Sequence, residues 1–349
     1  MAKSTQLAAQ LSDQRRTVDF DTFDIVLQQL MSMVHSKAID IAPVYQRQFR
    51  WDTKRCAQLI ESLFLGIPVP SLFMATNPDG TWELVDGVQR ISTIVKFAGS
   101  QDLRDRMDLD GPLRLKDLEK LTEFNGYTFL ELPETLQLQF NLRPIKVVTL
   151  SDKSDSIVRF DLFERLNTGG VALTDQEIRG CVFRGPFAKF LDKMAQDQDF
   201  RQVVRLSNRQ HGDGTREECV LRFFAYLHRY KRFVHSVVDF LNDYMKDAAK
   251  AFDERAGEKI FKETFRQLAS ALPDGIVRPT KRGNTPLNLF EAIAVGAALT
   301  ILKNKNLSSK KVADWIGSET LRKLTTGATN SNAAVVGRIE FCRDKFLGK

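Results

Sequence analysis

The chain has 349 residues, 43% of them hydrophobic and 27% charged, with a formal net charge of +7. That length admits two domains with a core in each, and the balance is that of a globular protein rather than a disordered or fibrous one. No apolar run reaches the roughly 20 residues that span a bilayer, and the polar start MAKSTQLAAQLSDQRR lacks a secretory signal, so a cytoplasmic protein without membrane contact is expected.

The charge is unevenly spread. Residues 1–200 carry 24 basic and 28 acidic side chains, and residues 201–349 carry 27 and 16. Such asymmetry points to a polyanion partner for the second half; the alternative is a solvated helical surface rich in Lys and Arg. The four cysteines, Cys56, Cys181, Cys219 and Cys342, show no metal-ligand or redox spacing and read as reduced thiols.

Taken in chain order, TFDIVLQQLMSMVHS places Phe23, Val26, Leu27, Leu30 and Val34 near helical spacing, and AIDIAPV reads as a short strand. DTKRCAQLIESLFLG is a helix, with Asp52 as N-cap and Gly66 as its stop. PSLFMAT, the turn NPDG and TWELVD form a hairpin, and residues 88–98 form a helix. The charged, turn-rich stretch of about 100–135 reads as an insertion, RPIKVVTL as a β-branched strand and SDSIVRFDLFERLN as a helix. From Leu173 onward almost everything has helical pattern, with candidates in TDQEIRGCVF, PFAKFLDKMAQ, GTREECVLRFFAYLHRYKRF, SVVDFLNDYMKDAAKAF, GEKIFKETFRQLASAL, NLFEAIAVGAALTILKN, SSKKVADWIG and AAVVGRIEFCRDKFL. The expectation is therefore an α+β chain: an α/β domain over residues 1–185 and a basic, all-helical domain over 186–349.

Chemistry has three candidate seats. In Asp86-Gly87-Val88-Gln89-Arg90 a helix opens directly after a strand, so free N–H groups and the positive dipole end suit an anion. Gly87 permits the tight turn, Arg90 offers a planar fork to phosphate oxygens, and Gln89 can position a water or a base edge. Asp86 can orient the arginine, cap the helix or help to hold a cation. Spacing alone fits a merely capped helix start equally well. The second seat is PVYQRQFRWD, where Arg47 and Arg50 alternate with Tyr45, Phe49 and Trp51 in the manner of phosphate contact plus base stacking. The third is FERLNTGGVALTDQEIRG, where Thr174 and Glu177 make a capping box and Arg165, Asn167 and Arg179 are candidate site residues.

These segments together resemble the GmrSD restriction endonuclease N-terminal domain family, related to the ParB/sulfiredoxin-like fold. The family signature is carried by Tyr45-Gln46-Arg47 with Trp51, Pro68-Val69-Pro70, Asp86 through Arg90, and Phe163 through Asn167, Gly170, Leu173 and Glu177. Order and spacing agree over roughly residues 25–185. The resemblance implies a nucleotide-binding domain in a prokaryotic defence protein, associated with binding or hydrolysis of a nucleoside triphosphate, with Mg2+ as companion ion. Carried over residue by residue, Asp86, Gln89 and Arg90 form the phosphate site. Tyr45, Gln46, Arg47, Trp51, Gly87 and Asn167 hold the nucleotide around it. The sequence departs from the pattern at Val88, where the family usually has Gln; this weakens hydrolysis if that Gln positions a water, and is harmless if the position faces the core.

Larger relatives add a His-Asn-His nuclease. This chain has only His35, His211, His228 and His235, none in that arrangement, so nuclease activity is not evident and a separately encoded nuclease or methyltransferase is the expected partner. His35 is expected partly buried in the first helix. In the basic half, Arg201, Arg205 and Arg209 fall at i, i+4, i+8, one stripe if helical, and Lys310 and Lys311 follow. Arg278, Lys281, Arg282, Lys303 and Lys305 add to the basic set. Such rows suit sequence-independent contact with DNA phosphates, and no base-reading helix is legible. A non-catalytic module that binds nucleotide or modified DNA, as sensor or scaffold for a nuclease, is the alternative to an NTP-hydrolysing enzyme.

Overall fold

The computed structural model describes residues 7, 19–41, 51–77, 79–151, 156–166, 174–207, 210, 213–278, 283–303, 305–308, 312–327 and 329–349. The chain divides into two compact units, Met1–Ala172 and Leu173–Lys349.

The first unit is built on a five-stranded mixed sheet: β1 (Phe20–Val26), β2 (Ile39–Asp40), β3 (Leu72–Thr76), β4 (Trp82–Asp86) and β5 (Pro144–Leu150). Their order is β1-β5-β3-β4-β2. The β3–β4 hairpin and the β1–β5 pair are antiparallel, while β3–β5 and β2–β4 are parallel. The Phe23 and Trp82 rings meet at 5.3 Å from strands three places apart, so the sheet curls rather than lying flat.

Around the sheet lie α1 (Leu27–His35), α2 (Thr53–Leu65), α3 (Val88–Ala98), the short α4 (Gln101–Arg106), α5 (Glu134–Asn141) and α6 (Ser156–Leu166). Asp52 caps α2 through the Arg55 N–H, and Gly66 ends it in the left-handed region, as the residue types predict. The insertion is irregular, with two short 3-10 turns at Thr122–Phe124 and Phe129–Glu131. It is fastened by the buried Glu61 carboxylate, which accepts from the Lys120 and Leu121 N–H groups at 2.7 and 2.8 Å, and by a cluster of Phe64, Phe97, Phe129 and Phe140 rings.

Two local expectations are corrected here. Phe23 and Val26 belong to β1 and not to a helix, which begins only at Leu27. Their spacing of three suits one helical face and puts them on opposite faces of a strand, and pairing of the whole Phe20–Val26 segment with β5 overrides that local pattern. His35 is exposed and hydrogen-bonded to Asp102 at 2.8 Å, not partly buried.

Among its described residues, the second unit is helical: α7 (Asp175–Val182), α8 (Pro186–Ala195), α9 (Gln198–Val203), α10 (Thr215–Arg229), α11 (Val237–Ala248), α12 (Glu254–Ala271), α13 (Leu287–Ile301), α14 (Val312–Ile316), α15 (Glu319–Thr325) and α16 (Asn332–Phe346). The centre is α13, apolar almost all round and packed by α10, α12 and α16. Phenylalanines fill the space beside it, with Phe200, Phe223, Phe261 and Phe265 fully buried in mutual contact. Through this core runs a chain of buried charges. Arg338 and Arg222 both bind Glu291, Arg222 binds Glu218 at 2.7 Å, and Glu218 binds Arg179 at 3.2 Å.

No helix among the described residues is long and apolar enough to cross a membrane. All four cysteines are buried, and none is in a disulfide.

Candidate functional site

The site grows out of the β4–α3 turn. Strand β4 ends at Asp86, Gly87 turns with φ +115°, and α3 starts at Val88. A Cβ at position 87 would lie 2.4 Å from Leu72 Cδ2, so glycine is demanded both by conformation and by space. Opposite the turn, β3 shifts register between Phe73 and Met74, where Phe73 faces Asp86.

The turn settles which of its three open roles Asp86 takes with respect to the helix. No side chain caps α3; Gly87 is its N-cap. Asp86 instead grips Arg90, with Oδ2 accepting from Nη2 at 2.6 Å, and the same Nη2 reaches the Ser71 carbonyl at 3.3 Å. The guanidinium is thus pinned from two sides at 12% exposure. Its Nε is buried and has no hydrogen-bond partner among the described residues. Arg90 is a rigidly held cation with a donor in reserve, beside the start of an eleven-residue helix.

Gln89 joins this arrangement from the next helical position. Its Oε1 accepts from the Trp51 backbone N–H at 3.2 Å, tying the start of α3 to the approach to α2. Two residues missed by the sequence reading brace that tie. The Thr93 hydroxyl donates to the Gln89 carbonyl at 2.7 Å and lies 3.4 Å from Cys56 Sγ, and the Cys56 thiol is 3.8 Å from the Trp51 carbonyl. The i, i+4 spacing of Gln89 and Thr93 was the only available signal. Burial pushes the Cys56 thiol above its ordinary pKa, partly offset by the Thr93 hydroxyl and the Lys96 charge, so it acts as packing and not as a nucleophile. Val88 is half-buried rather than in the core.

Asp86, Gly87, Gln89, Arg90 and Trp51 are therefore brought together. Tyr45, Gln46, Arg47 and Asn167 lie outside the described residues, as do Arg209, Lys310, Lys311, His211, Lys281 and Arg282. Arg165 is exposed on α6. Arg179 is no site residue: it is buried, with Nε donating to Asn242 at 2.7 Å and Nη1 to Glu218. The Thr174–Glu177 capping box is present.

The expected basic stripe is also corrected. Helix α9 ends at Val203, Val204 is extended, and Arg205 pairs its backbone with Thr285, so Arg201 and Arg205 do not share a helix. Val203 and Val204 are both fully buried, and seating them in the core unwinds the chain before Arg205. Arg201 and Arg205 are exposed, whereas Arg278 is engaged by Thr325. In place of the stripe, Arg216 sits within reach of the Arg201 charge. Burial first and then Arg201, partly offset by Glu217, depress its pKa, and its Nη1 is buried without a partner among the described residues.

Fold and site together define an α+β chain in which a strand–glycine–helix turn presents a fixed arginine, followed by a basic helical unit. Residues 27–183, a little under half of the chain, match the family model of the GmrSD restriction endonuclease N-terminal domain. The match extends past the boundary between the compact units, through α7. A solved structure of a Pnob8-like ParB-N domain aligns with 95% of this chain and 99% of its own, at 12% identity and a TM-score of 0.22. An overlap that loose assigns no fold, and the α+β class rests on the sheet and helices themselves. No curated protein matches the chain.

Proposed function

We propose that the chain is a nucleotide-binding, NTP-hydrolysing component of a prokaryotic, restriction-type defence system directed at DNA. The observation that carries this reading is Arg90, fixed by Asp86 and Ser71 with Nε unused, at the opening of α3. A triphosphate placed there meets the helix dipole, the guanidinium fork and the Gln89 side chain. Asp86 commits Oδ2 to Arg90 and keeps Oδ1 for a companion Mg2+. DNA is held by the basic helical unit, where Arg201, Arg205 and Arg216 give phosphate contacts, and cutting or modification falls to a separately encoded enzyme.

The test is purified protein with labelled ATP, GTP and CTP. Phosphate release that disappears in Arg90→Ala supports hydrolysis. Binding without release, restored to turnover by Val88→Gln, supports the alternative of a sensor that has lost the water-positioning side chain. Failure of all three nucleotides to bind overturns both.

A further inference from the structure

A second concave site lies wholly within the helical unit. A cleft of about 350 Å³ opens between the end of α10, the face of α11 and the start of α12. Its wall is aromatic: Tyr244 and Phe252 flank His228, with ring centroids 5.8 and 6.4 Å from the imidazole. The His228 Nδ1 and the Tyr244 hydroxyl share a hydrogen bond of 2.8 Å, which locks both rings, and His228 lines the cleft. Arg229 lies over the Tyr244 face at 5.2 Å and pairs with Asp247 at 2.9 Å, placing a planar donor set and an acceptor side by side on the rim. Across the opening stands Leu302, 57% exposed.

The cleft is kept open by construction. A Cβ on Gly257 would meet the Phe252 ring at 2.6 Å. Glycine there lets Phe252 settle against α12, with its ring also on Phe187, Phe190 and Phe224, instead of swinging into the space. A volume near the lower limit of ligand pockets admits one ring system and excludes a peptide or dinucleotide. Apolar ring faces with a hydrogen-bonding edge match a heteroaromatic base, whose faces stack and whose edge both donates and accepts.

We propose that this cleft binds a single purine or pyrimidine base, presented either as a free nucleoside or as an unpaired base of single-stranded DNA. The proposal goes beyond the Arg90 reading and uses none of its residues.

The experiment is isothermal titration of the full chain with each of the four deoxynucleosides and with a short single-stranded oligonucleotide. Saturable binding of at least one ligand is expected, weakened about tenfold by His228→Ala and by Asp247→Asn, the loss of one hydrogen bond to a polar edge. Both side chains reach the surface but are hydrogen-bonded within the protein, to Tyr244 and to Arg229, so native circular dichroism and a single cooperative melt confirm that the variants fold. Arg90→Ala leaves this binding intact, so failure here is distinguishable from failure of the nucleotide site. An abasic oligonucleotide that loses affinity identifies the base in DNA, whereas tight nucleoside binding with an indifferent abasic strand identifies the free ligand. No saturable binding of any nucleoside or oligonucleotide, or binding unmoved by both substitutions, overturns the proposal.

Discussion

Asp86 Oδ2 and Arg90 Nη2 stand 2.6 Å apart on either side of a left-handed glycine, so the last residue of a strand sets the first cation of the following helix. The carboxylate acts on the guanidinium and not on the helix end. Asp86→Asn is therefore expected to leave α3 intact and to weaken nucleotide binding by roughly tenfold to a hundredfold, the range for losing a charge-assisted hydrogen bond. Far-ultraviolet circular dichroism together with nucleotide titration checks both halves; lost helicity would return Asp86 to a structural role.

Gly87→Ala tests the turn itself. The new Cβ meets Leu72 at 2.4 Å in a backbone region that L-residues seldom adopt. The cost is expected to be about 1–3 kcal/mol, read as a lower urea midpoint at an unchanged slope.

How much of this could be read beforehand follows from where each signal resides. Residues 88–98 were legible as a helix to the residue, because the Asp-Gly turn and the apolar spacing agree. The first strand was not, because the spacing of Phe23 and Val26 suits a helix and only pairing with the distant β5 makes the segment a strand. The α5 helix was missed for a related reason: it buries little besides Phe140, so ETLQLQFN carries almost no pattern. At the site, Asp86, Gln89, Arg90 and Trp51 stood out by type and spacing, but Ser71, Cys56 and Thr93 did not. The Ser71 carbonyl and Cys56 reach the site through contacts set by the hairpin and by α2 packing on α3, which local sequence does not encode. The Arg201–Arg209 spacing misled because it ignored the two valines that the core claims at 203 and 204.

The thiols give a prediction that reports on the braced site. Burial pushes Cys219 up to about 12 and raises Cys56 as well, and the four sulfurs lie in the core. A disulfide reagent at pH ~8 is expected to label none of them in the native protein and all four in denaturant. Rapid native labelling of Cys56 would mean that the link between Trp51 and Gln89 opens freely.

His228 gives a pH dependence. Burial, reinforced by Arg229, holds its imidazole below the ordinary value of 6.5. The unfolded chain then takes up a proton before the folded one. This histidine costs nothing above about 6.5, and its penalty grows as pH falls through that value and on through the lower folded one. Wild type is expected to lose more stability than His228→Asn between pH ~7.5 and ~5.5, as compared by urea midpoints; equal losses would remove the cause.

The buried charge chain gives the largest expected effect. Glu291 is fully buried and receives Arg222 at 2.5 Å together with Arg338, itself fully buried. Burial works against the Arg222 charge, and Glu291 and Glu218 more than restore it, raising its pKa. Glu291→Leu keeps the apolar volume of α13 but leaves two guanidinium groups facing each other in a core that excludes water. The cost is expected to be about 3–5 kcal/mol, that of an uncompensated buried charge, seen as a drop in denaturation midpoint or as failure to accumulate folded protein. A companion variant, Glu291→Leu with Arg338→Met, removes the fully buried cation as well and leaves Arg222 with Glu218. It is expected to recover a large part of the loss, because replacing a buried pair with apolar groups of similar size is close to neutral. If the double variant is no more stable than the single one, Glu291 acts through its shape and the charge chain is incidental.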